Sequence, residues 1–374
     1  MHINATLIGP LAVCSGLFVL GIALWDAFST IVLPRTVSVA FMPARVSTHL
    51  GWRLWRCLGG WIHNRSSRQS FLTAFGPLSV LLQLGLWAVM IVVAFALLHL
   101  GLATRLNRPT SQGEIGTFLY LSGTTFFTLG LGDVVPLNPL GRALVVIEVG
   151  TGIVFLAMII GYLPVLHQAY VQREVGVKLL EARAGSPQSA VRLLRRFGRP
   201  ESAATLTAIL LEAERWAAEL SQSHLAHPVL AFYRSQHLDC SWLISLTTLL
   251  DSCALLLVSR SGVPSYQARA TFRMAVRAAA DLARIAGRVP DRTASERLPP
   301  GDVPRLCAAL ESSGLILSAG TDMEARLKKL RGLYEPAVLA LATFLLVPLP
   351  GWIPILEEKE AQGDLLSFAD LEWD

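Results

Sequence analysis

The residues best suited to chemistry are Thr128-Leu129-Gly130-Leu131-Gly132-Asp133, set between two long apolar runs. The chemistry is that of the backbone. Glycine weakens helices and strands, and an aspartate near hydrocarbon is costly, so both need a physical reason. Glycines at alternate positions permit φ > 0 there, a conformation other residues resist. Successive carbonyls can then turn toward one axis. A ring of such carbonyls, drawn from several copies, can replace the water around a cation. Ile115 to Phe127, just before, reads as a helix. Its length, about 20 Å, is too short to cross a bilayer but suits a helix that dips in from one side. Extended backbone at that depth is tolerated only where it is buried in protein or lines a watery cavity. The negative, C-terminal end of the short helix would favour a cation.

The elements that must position this stretch follow from composition. The chain has 374 residues, 53% of them hydrophobic and only 16% charged. Soluble domains carry about 25% charged residues, so the balance predicts a membrane protein with a water-soluble part. Three apolar runs reach spanning length: Leu7 to Leu33, Phe75 to Ala103 and Leu140 to Leu166. No Lys or Arg occurs in the first 33 residues, so the charged start of a signal peptide is missing and the first run is expected to be a retained helix. Pro34 to Ala74 carries Arg35, Arg45, Arg53, Arg56, Arg65 and Arg68 with no Asp or Glu. The positive-inside rule places it in the cytoplasm. Trp52, Trp55 and Trp61 interleave with those arginines and predict a short helix lying on the membrane surface. A second basic cluster, Arg173 to Arg199, follows the third run and gives the same orientation: N-terminus outside, tail inside.

The tail, residues 170–374, is rich in Ala, Leu, Arg and Glu and reads as a soluble α-helical domain. Ser241 to Val258 is apolar but short, and it contains Asp251, so a buried core helix is expected. Glu335 to Ile355 is broken by Pro348, Pro350 and Pro354 and should not span. Ser261 to Ser265 and Val289 to Pro304 read as loops. The expected fold class is therefore an all-α membrane protein. It has three transmembrane helices, a re-entrant pore loop and a soluble α-helical C-terminal domain. The domains run 1–74, 75–169 and 170–374.

The opening stretch resembles the signature of the potassium-channel family, of the bacterial, two-helix pore-loop type. The family pattern is Thr-Val-Gly-Tyr-Gly-Asp and this chain reads Thr-Leu-Gly-Leu-Gly-Asp. The resemblance extends from Phe75 to Leu166, through Pro136, Gly141-Arg142 and Gly152, which falls where many members have a hinge glycine. It implies that the carbonyls of Thr128, Leu129, Gly130 and Leu131, with the Thr128 hydroxyl, line a selectivity filter. Gly132 and Asp133 complete the filter motif, with Asp133 at the outer mouth. It implies an outer helix at Phe75 to Ala103, an inner helix at Leu140 to Leu166, and four identical subunits around potassium ions. The first span is extra to the minimal pore. One departure is Leu131, which stands where the family has a tyrosine whose hydroxyl bonds to pore-helix aromatics. A leucine cannot make that bond, and Tyr120-Leu121 replaces the usual aromatic pair.

Other residues were weighed on their own chemistry. Glu148, an ionisable residue inside a span, is a functional candidate by default. It is expected to brace the pore helix through Thr124 or Thr125. Gly152, Gly161 and Pro164 are the candidate gating positions, with the pore exit at Gly161 to Pro164. Asp26 would pair with Arg35, cap the pore domain, or reach the interface. The first span lacks regularly spaced arginines, so voltage sensing is not expected. Cys14, Cys57, Cys240, Cys253 and Cys307 form no CxxC pair, which excludes a zinc ribbon. His224, His227, His237, Asp239 and Cys240 cluster in sequence. Pro228 interrupts them and the spacing fits no metal site, so no metal beyond permeant potassium and no cofactor is expected. The tail has no dinucleotide fingerprint, P-loop or nucleophile elbow, which argues against an enzyme.

The sequence thus predicts a homotetrameric potassium channel of the cell membrane. Its partners are its own copies, potassium and membrane lipids, with anionic headgroups at the basic segments and no nucleic acid. Two alternatives stay open: a non-selective cation channel, favoured by Leu131, and a non-conducting anchor for a cytosolic sensing or scaffolding domain.

Overall fold

The computed structural model describes residues 3–33, 43–107, 115–235, 240–259, 265–288, 297–311, 315, 317 and 321–353. Among these every regular element is a helix. The chain divides into two compact units, Met1–Tyr170 and Val171–Asp374.

The first unit begins with α1 (Ile3–Ile31), α2 (Pro43–Gly60) and α3 (Arg65–Gly101), followed by α4 (Ile115–Phe126) and the start of α5 (Pro139–Ala184). Segments Ile8–Ile31, Ser66–Gly101 and Pro139–Ala184 are long and apolar enough to cross a membrane. Two of these helices outrun the expected spans. α3 starts ten residues early because Asn64 caps it, its side chain accepting from Ser66 and Ser67 N–H groups. α5 continues past Leu166 because good helix formers from Gln172 to Ala182 carry it on; Pro164 sits inside without ending it.

α1 packs mainly against α3, and small residues set the distance. A Cβ on Gly101 would lie 2.7 Å from the Gly9 carbonyl oxygen, and one on Gly16 would lie 2.9 Å from that of Ala94. α2 is amphipathic in a way that serves α3 as well as the surface. Trp52 is buried against Phe75, and Trp55 stacks flat on Phe71 with ring centroids 4.3 Å apart. Leu50, Leu54 and Leu58 stay exposed on the other side. Asp26 ties the three helices together. Its Oδ2 accepts from the Ala44 N–H at 2.9 Å, in the first turn of α2, and from Trp87 Nε1 at 2.8 Å. A carboxylate at a helix N-terminus is favoured by the orphan amides there. Asp26 is only 1% exposed, which overturns the reading that it reaches the interface; Arg35 lies outside the described residues.

The second unit holds the end of α5 and α6 (Ala190–Phe197), α7 (Ala203–Ala226), α8 (Trp242–Val258), α9 (Ser265–Ile285), α10 (Val303–Glu311), α11 (Thr321–Arg331) and α12 (Glu335–Leu345). α8 is the core, buried on all sides and touched by α6, α9, α11 and α12. It is largely apolar all round, and two of its hydroxyls bond back to the preceding turn: Thr247 to the Leu243 carbonyl and Ser252 to that of Thr248, each at 2.7 Å. Two expected loops are shorter than read, since α9 begins at Ser265 and α10 at Val303; most of what remains lies outside the described residues. α12 ends at Leu345, before the prolines, with Leu346 left-handed at φ 54°.

The end of α5 is fixed into this unit by Gly176 and Arg173. A Cβ on Gly176 would stand 2.0 Å from the Trp216 ring, whose Nε1 donates to the Arg173 carbonyl at 3.1 Å. The Arg173 guanidinium donates to the carbonyls of Leu230 and Tyr233, both at 2.8 Å. Nearby, His224 is fully buried with Nδ1 donating to the Leu220 carbonyl. Burial, and then the charge of Arg173, push its imidazole down to about 3. The unfolded chain therefore binds a proton that the folded one refuses. Stability is complete above the unfolded value of about 6.5 and is lost as pH falls toward 3. We expect the tail to lose about 2 kcal/mol between pH 7.5 and pH 5. Thermal melts of the full chain at both pH values check this, and His224→Gln should flatten the dependence.

Candidate conduction site

α4 contains no charged residue, and its twelve residues reach about 18 Å. At its end the chain turns back sharply. The Thr128 N–H donates to the Thr125 carbonyl at 2.9 Å and the Leu129 N–H to the Thr124 carbonyl at 2.8 Å. The backbone then alternates. Thr128 has φ 56°, Gly130 φ 56° and Gly132 φ 74°, so every second residue is left-handed. A glycine tolerates this freely, whereas a β-branched threonine there costs about 1–2 kcal/mol and must be held by its surroundings. Sequence reasoning assigned the alternation to glycines alone. The spacing of two that puts Thr128 in phase with them was the missed signal.

Among the described residues, no backbone N–H bonds to the carbonyls of Thr128, Leu129, Gly130 or Leu131. These four residues are exposed in the single chain. Only buried carbonyls must find a partner within the protein, so these four, exposed in the single chain, are free to accept from water or to face a cation.

The segment after this stretch is stapled in place. Asp133 accepts from the Tyr120 hydroxyl through Oδ2 at 2.8 Å and from the Val134 N–H through Oδ1 at 3.0 Å. Asn107 bonds on both sides of the pairing: its Nδ2 donates to the Asp133 carbonyl and its Oδ1 accepts from Val135 N–H. Leu106 and Pro136 form an antiparallel bridge, and Arg142 Nε donates to the Pro136 carbonyl at 3.2 Å. Asn107 was not singled out in sequence, and Tyr120 was noted only as part of a changed aromatic pair, not as a partner of Asp133. Each is an ordinary polar residue there, and only folding brings it 13 or 26 positions along to Asp133. Tyr120→Phe removes a hydrogen bond of about 1 kcal/mol net and is expected to lower any potassium-over-sodium preference about fivefold. Reversal potentials in mixed salts measure it.

The packing behind the end of α4 differs in detail from expectation. Glu148 is fully buried, but it faces His99 of α3, with Oε2 3.6 Å from Nε2, and the Ser122 hydroxyl of α4. The expected bracing by Thr124 is replaced: its hydroxyl bonds back to the Tyr120 and Leu121 carbonyls of its own helix. Thr125 is buried in α4, and its carbonyl takes the Thr128 amide. His99 is an ionisable residue in a span, and the rule that flagged Glu148 would have found it. Gly152 lies against the end of α4, where a Cβ would stand 2.2 Å from the Phe126 carbonyl oxygen; Phe155, a turn on, packs on the Phe126 ring. α5 is continuous through Gly152, Gly161 and Pro164, and open space surrounds Gly161. Among the described residues no group of three His, Cys, Asp or Glu is placed to hold a metal.

Comparison with known proteins bears on this geometry. The profile of a family described as "Ion channel" matches residues 84–166, from the middle of α3 through the glycine-bearing stretch into α5. The chain is also 25% identical over 221 residues to the Uncharacterized membrane protein YdjJ of Bacillus subtilis (strain 168). That alignment covers 56% of this chain and 62% of the relative, so the chain spans less than two thirds of that protein's length. No solved structure matches. Among the described residues every regular element is a helix and three helices are able to cross a membrane, and the part that holds the candidate site is similar to an ion-channel domain.

Proposed function

We propose that this chain is one subunit of a homotetrameric potassium channel in the cell membrane, with its N-terminus outside and its tail in the cytoplasm. The observation that carries the reading is the alternation of left-handed residues at Thr128, Gly130 and Gly132, with four successive carbonyls free of backbone partners. Such carbonyls can replace an ion's hydration shell once several copies surround an axis. One chain encloses nothing, so the ring requires copies. Asp133 stands at the mouth, α4 directs its negative end toward the ion path, and α5 lines it, with Gly161 to Pro164 at the exit. The mechanism is passive conduction without enzymatic chemistry or cofactor. Anionic headgroups are the partners of the basic segments, and no nucleic acid is involved.

Leu131 favours a second reading, a non-selective cation pore. It offers no hydroxyl to hold the filter's diameter, and the Tyr120 hydroxyl is engaged with Asp133. Flux into liposomes holding the purified protein separates the readings. Potassium flux that barium blocks, with none for sodium, supports the first. Equal flux of both ions supports the second. Absence of both, with Gly130→Ala indistinguishable from the native chain, leaves only a membrane anchor.

A further inference from the structure

His99, Ser122 and Glu148 come from three different helices, α3, α4 and α5, and each is fully buried. Their polar atoms converge without closing a hydrogen bond. His99 Nε2 and Glu148 Oε2 are 3.6 Å apart, beyond hydrogen-bond reach. Both Glu148 oxygens, His99 Nε2 and the Ser122 hydroxyl lack a hydrogen-bond partner. The other imidazole nitrogen, Nδ1, is engaged with the Thr104 hydroxyl at 3.0 Å. The Phe118 ring lies parallel to the imidazole, 6.3 Å away.

Among the described residues nothing else ionisable faces the group. α4 has no Asp, Glu, His, Lys or Arg. From Gln69 to its end, α3 has His99 alone. On α5, Arg142 is committed to the Pro136 carbonyl. On α1, Asp26 is committed to Ala44 and Trp87. The balance of charge is therefore local. A carboxyl and an imidazole are neutral together only while they hold one titratable proton between them, on the carboxyl or on Nε2. Losing it leaves a buried negative charge, and gaining a second leaves a buried positive one. Neither has a counter-charge, and both are costly in a spanning segment.

We propose that His99, Glu148 and Ser122 form a buried proton-binding site behind α4, and that uptake of a second proton weakens conduction. The second clause rests on the channel reading given above. Glu148 is one helical turn from Gly152, which abuts the last carbonyl of α4. A positive charge placed there acts on the helix whose end favours the permeant cation, and it opposes cation occupancy of the filter.

Infrared difference spectroscopy on the purified full chain tests the site without reference to flux. Acidification from about pH 7.5 to about pH 4 should show uptake of one proton by the buried carboxyl–imidazole pair. That signal should vanish in both Glu148→Gln and His99→Gln. Ser122→Ala retains both titrating groups and should shift the midpoint, which keeps the test open if the other variants fold poorly. Spectra of the native chain that match the variants overturn the site. Potassium flux into liposomes tests the consequence: over the same range it should fall about fivefold in the native chain and stay level in Glu148→Gln. Level flux in the native chain, with proton uptake intact, overturns the regulatory clause alone. Proton uptake with no flux at any pH leaves the site standing and rejects the channel reading.

Discussion

Gly152→Ala is expected to reduce cation flux at least about tenfold while the chain still folds, a change that follows from overpacking of roughly 1–3 kcal/mol at one contact. The added methyl would lie 2.2 Å from the Phe126 carbonyl oxygen and 3.1 Å from its carbon. Both are backbone atoms, so no side chain can rotate away. Either α5 shifts outward by about 1 Å to reach ordinary carbon–oxygen separation, or the end of α4 moves. Phe126 is the last residue of α4, and only Phe127 separates it from left-handed Thr128. The strain would therefore arrive at the residue least able to absorb it. Gly150 provides the control. It is on the same helix, two residues away, and a Cβ there meets nothing within 4 Å. Gly150→Ala should leave flux within about twofold. Liposome flux, with thermal melts to confirm folding, separates the pair. A Gly152→Ala protein that conducts normally would show that α4 and α5 move apart without cost.

Asp251→Asn is expected to destabilise the tail by about 3–5 kcal/mol and to lower its melting temperature by roughly 10 °C. Asp251 sits on α8, 2% exposed. It accepts two bonds from Arg297, at 3.1 and 2.7 Å, and one from the Tyr334 hydroxyl at 2.5 Å. Glu335 in turn pairs with Arg331 at 3.1 and 3.0 Å and accepts from Trp352 Nε1. Both guanidiniums stand over the Trp352 ring. The carboxylates raise the affinity of Arg297 for its proton despite burial, so it stays charged. Removing the Asp251 charge leaves a buried guanidinium whose remaining carboxylate neighbour, Glu335, is 3.7 Å away. Burial of an unpaired charge is what makes the loss large. Calorimetry of the full chain reads the shift. The double variant Asp251→Asn with Arg297→Met should melt closer to the native chain than Asp251→Asn does, because it removes the orphaned charge.

Much of the first unit was legible because its signals are local. Spans announce themselves by unbroken apolar length, and α4 by a short apolar run between breakers. The stretch with alternating left-handed residues is set out by glycines two apart. α8 was recognisable as a core helix because it is apolar on every side, yet short and carrying Asp251. The ends were less legible. α3 reached back to Arg65 through the Asn64 cap, and α5 ran on to Ala184 because the residues after Leu166 are good helix formers whatever their polarity.

Contacts between distant residues were not legible at all. Asp26 offered three readings in sequence, and none foresaw that folding brings the Ala44 N–H at the start of α2 and Trp87 Nε1 to one oxygen. Glu148 was assigned to threonines on α4, but those hydroxyls satisfy their own helix, and His99 stands opposite instead. Arg297 lay in a stretch read as loop, and nothing in that stretch pointed to Asp251, 46 residues earlier. By itself, the sequence determined the helical class, the three long apolar helices and the position of the carbonyl-bearing stretch. Those depend on hydrophobic period and on the conformational range of single residues. Tertiary structure alone decided which polar groups meet, because a buried donor or acceptor takes whatever partner the packing of apolar helices brings within reach.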